Sequence, residues 1–229
     1  MMVRIINLLS LFVFIGIFSC SSDDEGDNNP SLPEDEARYQ ATFTMNWSAD
    51  NYPTDYPGGA HFSPLVGWSH NTNTNFFAIG TLASPGIKSM AETGATSTLE
   101  SEINDRIDSG EGKELILGSG LSSGTGEITV EFTISKNYPN VTLATMIAPS
   151  PDWYVAVVNL NLVNAGEFIE DRTVVAYAYD AGTDDGLSYG SPNDASEPPL
   201  AIELIIDAPL GNGTSVIPDI ALVNFKKIN

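Results

Sequence analysis

Ile128-Thr129-Val130-Glu131-Phe132-Thr133-Ile134 alternates apolar and polar side chains without a break. A strand places successive side chains on opposite faces, so this stretch reads as a β-strand with one buried and one wet face. The same period of two recurs upstream, where Phe43, Met45 and Trp47 alternate with Thr42, Thr44 and Asn46. Downstream, Leu160 and Leu162 alternate with Asn159 and Asn161 inside the run from Trp153 to Val163. Val141 to Ile147, Thr173 to Tyr179, Ile202 to Ile206, Ile217 to Phe225 and the short Phe76 to Ile79 complete the strand candidates. Loops rich in Gly, Pro, Asn and Ser separate them. The pattern predicts an all-β chain, an antiparallel β-sandwich of about eight or nine strands.

One segment has a helical period. Leu99, Ile103 and Ile107 recur every fourth residue, Ser97 and Glu100 have capping-box spacing, and Gly110 is placed to end the last turn. It predicts one short amphipathic helix against a sheet edge, its apolar stripe serving as core.

The beginning of the chain has a different character. Arg4 precedes an apolar run from Ile5 to Phe18, and Ser19-Cys20 follows at once. That run is short for a membrane span and has the layout of a secretory signal. Cys20, the single cysteine, stands where a lipoprotein peptidase cuts after the thiol is acylated. The expected organisation is therefore a lipoprotein signal peptide over 1-19, an acidic disordered tether over 20-37 starting at the lipidated cysteine, and one β-sandwich domain over 38-229. Residues 21-36 carry seven acidic side chains and one aliphatic one, Leu32, too little to drive folding. An acidic cluster behind an acylated cysteine resembles the surface-export pattern of lipoproteins from Bacteroidetes-type bacteria. It implies an outer-membrane or cell-surface location, with periplasmic display the alternative.

Charge narrows the partners. Without residues 1-19 the chain keeps 8 basic against 30 acidic residues, a balance of 8 − 30 = −22. Such a chain repels phosphate backbones, which excludes nucleic acid as a partner, and favours cations. With Cys20 acylated, no thiol remains for a disulfide, a thiolate metal site or a nucleophile.

Two loop segments carry most of the carboxylate chemistry. Pro149-Ser150-Pro151-Asp152 lies between two strands, and Asp180-Ala181-Gly182-Thr183-Asp184-Asp185-Gly186 follows another. Calcium takes hard oxygen ligands from carboxylates and carbonyls, and Asp180, Asp184 and Asp152 could supply three if the loops meet at one pole. An EF-hand is excluded, because Asp185 stands at the glycine position and Ser191 at the glutamate position. By spacing alone, aspartates that cap turns and face water remain the commoner reading.

These two segments, with Trp47-Ser48, Tyr56-Pro57, His61-Phe62-Ser63-Pro64, Ser69-His70, Gly80-Thr81-Leu82-Ala83-Ser84-Pro85-Gly86, Glu92-Thr93-Gly94 and Ser191-Pro192 in the same order, resemble the spondin N-terminal domain of F-spondin- and mindin-like extracellular proteins. The likeness runs from about residue 39 to 207. It implies a C2-like β-sandwich with one Ca2+ held by Asp152, Asp180 and Asp184. This sequence departs in lacking the cysteines and the appended thrombospondin-type repeats of the animal proteins, so their partners do not transfer.

Three functions follow as expectations. The first is a calcium-binding recognition or adhesion module, fixed to the membrane through its lipid anchor and holding an extracellular protein or glycan. Tyr52, Tyr56, Trp68 and Trp153 are candidates for an aromatic platform there. The second is an envelope scaffold whose calcium is purely structural. A metal-dependent hydrolase using His61 and His70, the only histidines, comes third, since no nucleophile elbow, His-Glu-x-x-His or phosphate cradle is present. The chain is expected not to be an enzyme.

Overall fold

The alternation at 128-134 does what its period dictates. In a computed structural model describing residues 32-229, Ile128, Val130, Phe132 and Ile134 are buried while Thr129 and Glu131 are exposed. They lie in β5 (Thr125–Ser135), which pairs antiparallel with β1 (Glu36–Asn46), placing Phe43 opposite Ile128, Tyr39 opposite Phe132 and Ala37 opposite Ile134. The remaining elements are β2 (His61–Phe62), β3 (Val66–His70), α1 (Pro85–Thr93), α2 (Ser97–Asp108), β4 (Gly112–Leu117), β6 (Asn140–Ala148), β7 (Trp153–Asn161), β8 (Val163–Asn164), β9 (Glu167–Phe168), β10 (Asp171–Asp180), β11 (Glu203–Leu204) and β12 (Ala221–Lys227).

The main strands form one antiparallel path in the order β4-β3-β6-β7-β10-β12-β1-β5. β10 turns this path into a sandwich. Its first half, Asp171 to Ala176, pairs with β12, and its second half, Tyr177 to Asp180, pairs with β7. The far ends of the path also approach each other, for the Thr133 amide donates to the Glu114 carboxylate at 2.6 Å, so the sandwich is nearly closed.

Between the layers lies the main core, with Phe43, Trp47, Phe132, Val155 and Phe225. A second core, containing Trp68, Phe77, Ile87, Met90, Leu99 and Tyr154, sits beneath the helices on the outer face of β3, β6 and β7. β6 is consequently buried along its whole length, which explains why its apolar residues do not alternate with exposed ones.

Several expectations change. There are two helices rather than one, and they cover a sheet face rather than an edge. α1 has the signals of a helix start, Ser84 accepting from the Ile87 amide at 3.2 Å with Pro85 in the first turn. Gly86 interrupts its apolar pattern because a β-carbon there would lie 2.6 Å from Leu99 Cα of α2. The expected capping box is absent: Thr96, not Ser97, is the N-cap, and its hydroxyl donates to the Glu100 carboxylate at 2.5 Å. Phe76 to Ile79 is not a strand. Phe76 and Phe77 are both buried, and Phe77 packs edge-on to Tyr154 and Tyr179 at 5.2 Å each.

Ile202 to Ile206 contracts to β11, and Ile217 to Phe225 becomes regular strand only from Ala221, three residues past Pro218. β1 starts at Glu36, and Ala37 already packs in the main core. Residues 1-19, Cys20 and the tether up to residue 31 lie outside the described residues.

Candidate metal centre

Each aspartate is aimed by a tight turn. Between β6 and β7, the Ser150 hydroxyl donates to the Ile147 carbonyl at 2.6 Å and accepts the Trp153 amide at 3.1 Å. The two prolines beside it leave no strand to continue, and the turn carries Asp152 inward until it is fully buried. In the other loop, Asp180 closes β10 directly opposite Trp153, whose indole N–H donates to Asp180 Oδ2 at 3.1 Å. Asp180 Oδ1 accepts the Gly182 amide at 2.8 Å. Gly182 has φ of +69°, and a β-carbon there would lie 2.5 Å from the Leu200 carbonyl, so both conformation and space require glycine.

The loops meet as expected. Asp152 Oδ2 accepts the Thr183 amide at 2.6 Å, the Thr183 hydroxyl at 3.2 Å and the Asp184 amide at 3.1 Å. Asp184 in turn accepts the amides of Gly186 at 2.8 Å and Asp194 at 3.0 Å. Sequence reasoning missed the part played by Thr183 and Asp194. Asp194 acts through its backbone, which no side-chain pattern discloses.

The electrostatics of the pole are unbalanced. Burial, then the charge of Asp180, pushes the Asp152 carboxyl up to about 6, against the amides of Thr183 and Asp184 that lower it. Burial also raises Asp180. Asp152 Oδ1 is buried and has no hydrogen-bond partner. A bare acceptor beside a second carboxylate is costly, and a hard cation is the group that would answer both. The donor set of carboxylate and carbonyl oxygens fits calcium chemically. Yet among the described residues no three His, Asp or Glu side chains are gathered closely enough to enclose an ion as they stand. The Gly182 amide on Asp180 and the Gly186 and Asp194 amides on Asp184 already engage those two carboxylates.

The other candidates separate. His61 pairs with Ala148 and His70 with Asn140, at opposite ends of β6. Eight residues of strand are roughly 26 Å, so the two imidazoles cannot share a metal. His70 is buried, stacked on Trp68 at 4.8 Å and hydrogen-bonded to the Asn71 carbonyl and the Thr142 hydroxyl, and burial pushes it down to about 4. That is a neutral structural histidine. The aromatic platform also fails, because Tyr52, Trp68 and Trp153 are buried and Tyr56, half-buried, donates its hydroxyl to the Trp47 carbonyl at 3.0 Å.

Fold and site together define an antiparallel β-sandwich with an acidic loop pole and a helical cover on one face. A family model described as Spondin_N matches residues 37–212, and the chain belongs to that family. It is 32% identical to Spondin-2 of Homo sapiens over 166 residues, 71% of this chain and 50% of that protein. With Spondin-2 of Rattus norvegicus it shares 28% identity over 232 residues, 96% of this chain and 70% of that one. Spondin-1 of Rattus norvegicus is 32% identical over 170 residues, 71% of this chain but 21% of its own length. The chain thus spans about half of human Spondin-2. All three aspartates lie within the matched span 37–212, and family membership makes the domain a non-catalytic module.

Proposed function

We propose that this chain is a calcium-binding extracytoplasmic recognition or adhesion module, anchored by acylated Cys20 and displayed at the outer membrane or cell surface. Family membership supports the recognition class. The calcium assignment is carried by one observation, the buried and unpartnered Oδ1 of Asp152 where the Asp180 to Asp184 loop closes over it. Asp152, Asp180 and Asp184 would hold the ion with carbonyls of the same loop, the two outer carboxylates turning inward from their amide partners. When bound, calcium supplies positive charge that offsets the mutual repulsion of the pole. The loops so fixed border the surface on which an extracellular protein or glycan would be held.

Calcium titration of the full chain tests this. Added calcium is expected to raise the melting temperature, by about 3 kcal/mol of linkage at a hundredfold excess over Kd. Asp180→Asn combined with Asp184→Asn removes the gain. Identical melting of both proteins in calcium and in chelator refutes the site. The second reading, an envelope scaffold with a structural ion, is favoured by the full burial of Asp152, which keeps it from direct contact with a partner. A glycan and cell-envelope binding screen separates the two, since the scaffold retains its calcium response and captures no ligand.

A further inference from the structure

One face, which begins beside Asp180 and runs away from the aspartate pole, carries exposed apolar side chains. β11 and β12 both lie beside β10, but the chain between them leaves the sheet. The last bond before the excursion runs from the Ile205 amide to the Ala178 carbonyl at 3.0 Å, and pairing resumes at Ala221 opposite Ala176. The excursion is held by its own bonds, among them Gly213 N–H to Ile206 O and Gly211 N–H to Asp207 O, both 2.7 Å. Beneath it opens a groove of about 420 Å³. Tyr177, Leu204, Ile206 and Ile217 line it and remain exposed. A second cavity of about 440 Å³ continues it through Leu204 to Ile206 as far as Trp153 and Asp180. Large apolar side chains gathered on one exposed face mark an interaction surface.

The lining also has a sign. Its charged residues are Asp219 in the groove and Glu203 and Asp207 in the continuation, with Asp180 of the aspartate pole at its end and no lysine or arginine among them. An occupant therefore needs aliphatic side chains for the floor and positive charge for the rim. A second copy is opposed by the formal charge of −21 on each chain. The far wall, 214-220, lies beyond the family match, which ends at 212, so the complete groove is not part of the matched domain.

We propose that this groove docks an extended segment of a partner protein in which aliphatic and basic side chains alternate. An extended chain presents two faces with a period of two, one for the apolar floor and one for the carboxylate rim. The inference rests on the reading of the domain as a recognition module and names the chemistry of its partner.

A fluorescein-labelled peptide of four Lys-Leu repeats, titrated onto the full chain near physiological salt, tests it. Saturable one-to-one binding is expected, with Ile217→Asp and Tyr177→Ala each weakening it at least about tenfold. Both side chains are more than half exposed, at 67% and 55%, so unchanged melting curves will show the variants folded. Glu203→Gln, on the exposed rim, gives a smaller loss. Equal binding of a Lys-Ser repeat peptide, or wild-type binding by both apolar variants, overturns the proposal. So does binding to phosphatidylcholine vesicles that Ile217→Asp abolishes while the peptide is not held, which would assign the groove to lipid. Repetition with Asp184→Asn, which lies outside the groove lining, in chelator keeps the two readings apart. Peptide binding without a calcium response removes only the metal, and a calcium response without peptide binding removes only the groove.

Discussion

Asp152 concentrates the energetics of the pole in one side chain. Burial, with the charge of Asp180 beside it, pushes its carboxyl up to about 6 in the folded protein from an ordinary value of 3.8. The metal-free folded state therefore binds the proton more tightly than the unfolded chain. Its stabilisation is complete below the unfolded value and is lost as pH rises through about 6. Asp180, raised in the same direction, adds to the trend. In chelator the melting temperature is expected to fall between about pH 4 and pH 7, by the equivalent of roughly 3 kcal/mol from Asp152 alone. Asp152→Asn keeps an oxygen for the Thr183 and Asp184 amides but carries no charge, so its profile is flatter and its calcium response absent. A wild-type profile that rises over that range would contradict the charge imbalance. The aspartates themselves were visible as carboxylates in turns, but only the family resemblance grouped them as one site. The orphaned Oδ1 was not, because it depends on the opposing loop filling one side of the carboxylate and leaving the other bare.

Among the elements, the helical pair shows how a polar residue can tie two segments together. Glu102 of α2 accepts the Ser84 hydroxyl at 2.6 Å and the Gly86 amide at 2.7 Å, giving the N-terminus of α1 the negative charge its own first turn lacks. Glu102→Ala is expected to lower stability by about 1 to 2 kcal/mol. Glu102→Gln, which retains an acceptor, loses less. Calcium should shift both variants as it shifts the wild type, for the helices cover the outer sheet face and not the aspartate loops. Denaturant melts with and without calcium measure both effects. α2 was legible from its period, whereas α1 was hidden by Gly86, a residue fixed by helix-to-helix contact. β3 was hidden for a related reason: Val66 to His70 is buried on both faces and so has no alternation to read.

For the molecule as a whole, the proposed attachment runs through an acylated Cys20, the single cysteine. Among the described residues no helix is long and apolar enough to cross a membrane, which leaves strand-based crossing untouched. Cys20→Ser is expected to move the protein expressed in a lipoprotein-processing bacterium from the detergent phase to the aqueous phase and to remove the acyl mass from the N-terminal peptide. Partitioning that is unchanged by the substitution would refute the anchor.

The sequence by itself determined the all-β class, most long strands and the acidic character, because period and residue type act locally, while the three aspartates were singled out by the family resemblance rather than by spacing. Only the tertiary structure decided that β10 serves both layers, that His61 and His70 stand at opposite ends of β6, that the tryptophans are buried, and that the chain leaves the sheet between β11 and β12 to open a groove. Each of these depends on which distant residues come to face one another, and that is fixed by how the two layers close around a shared core.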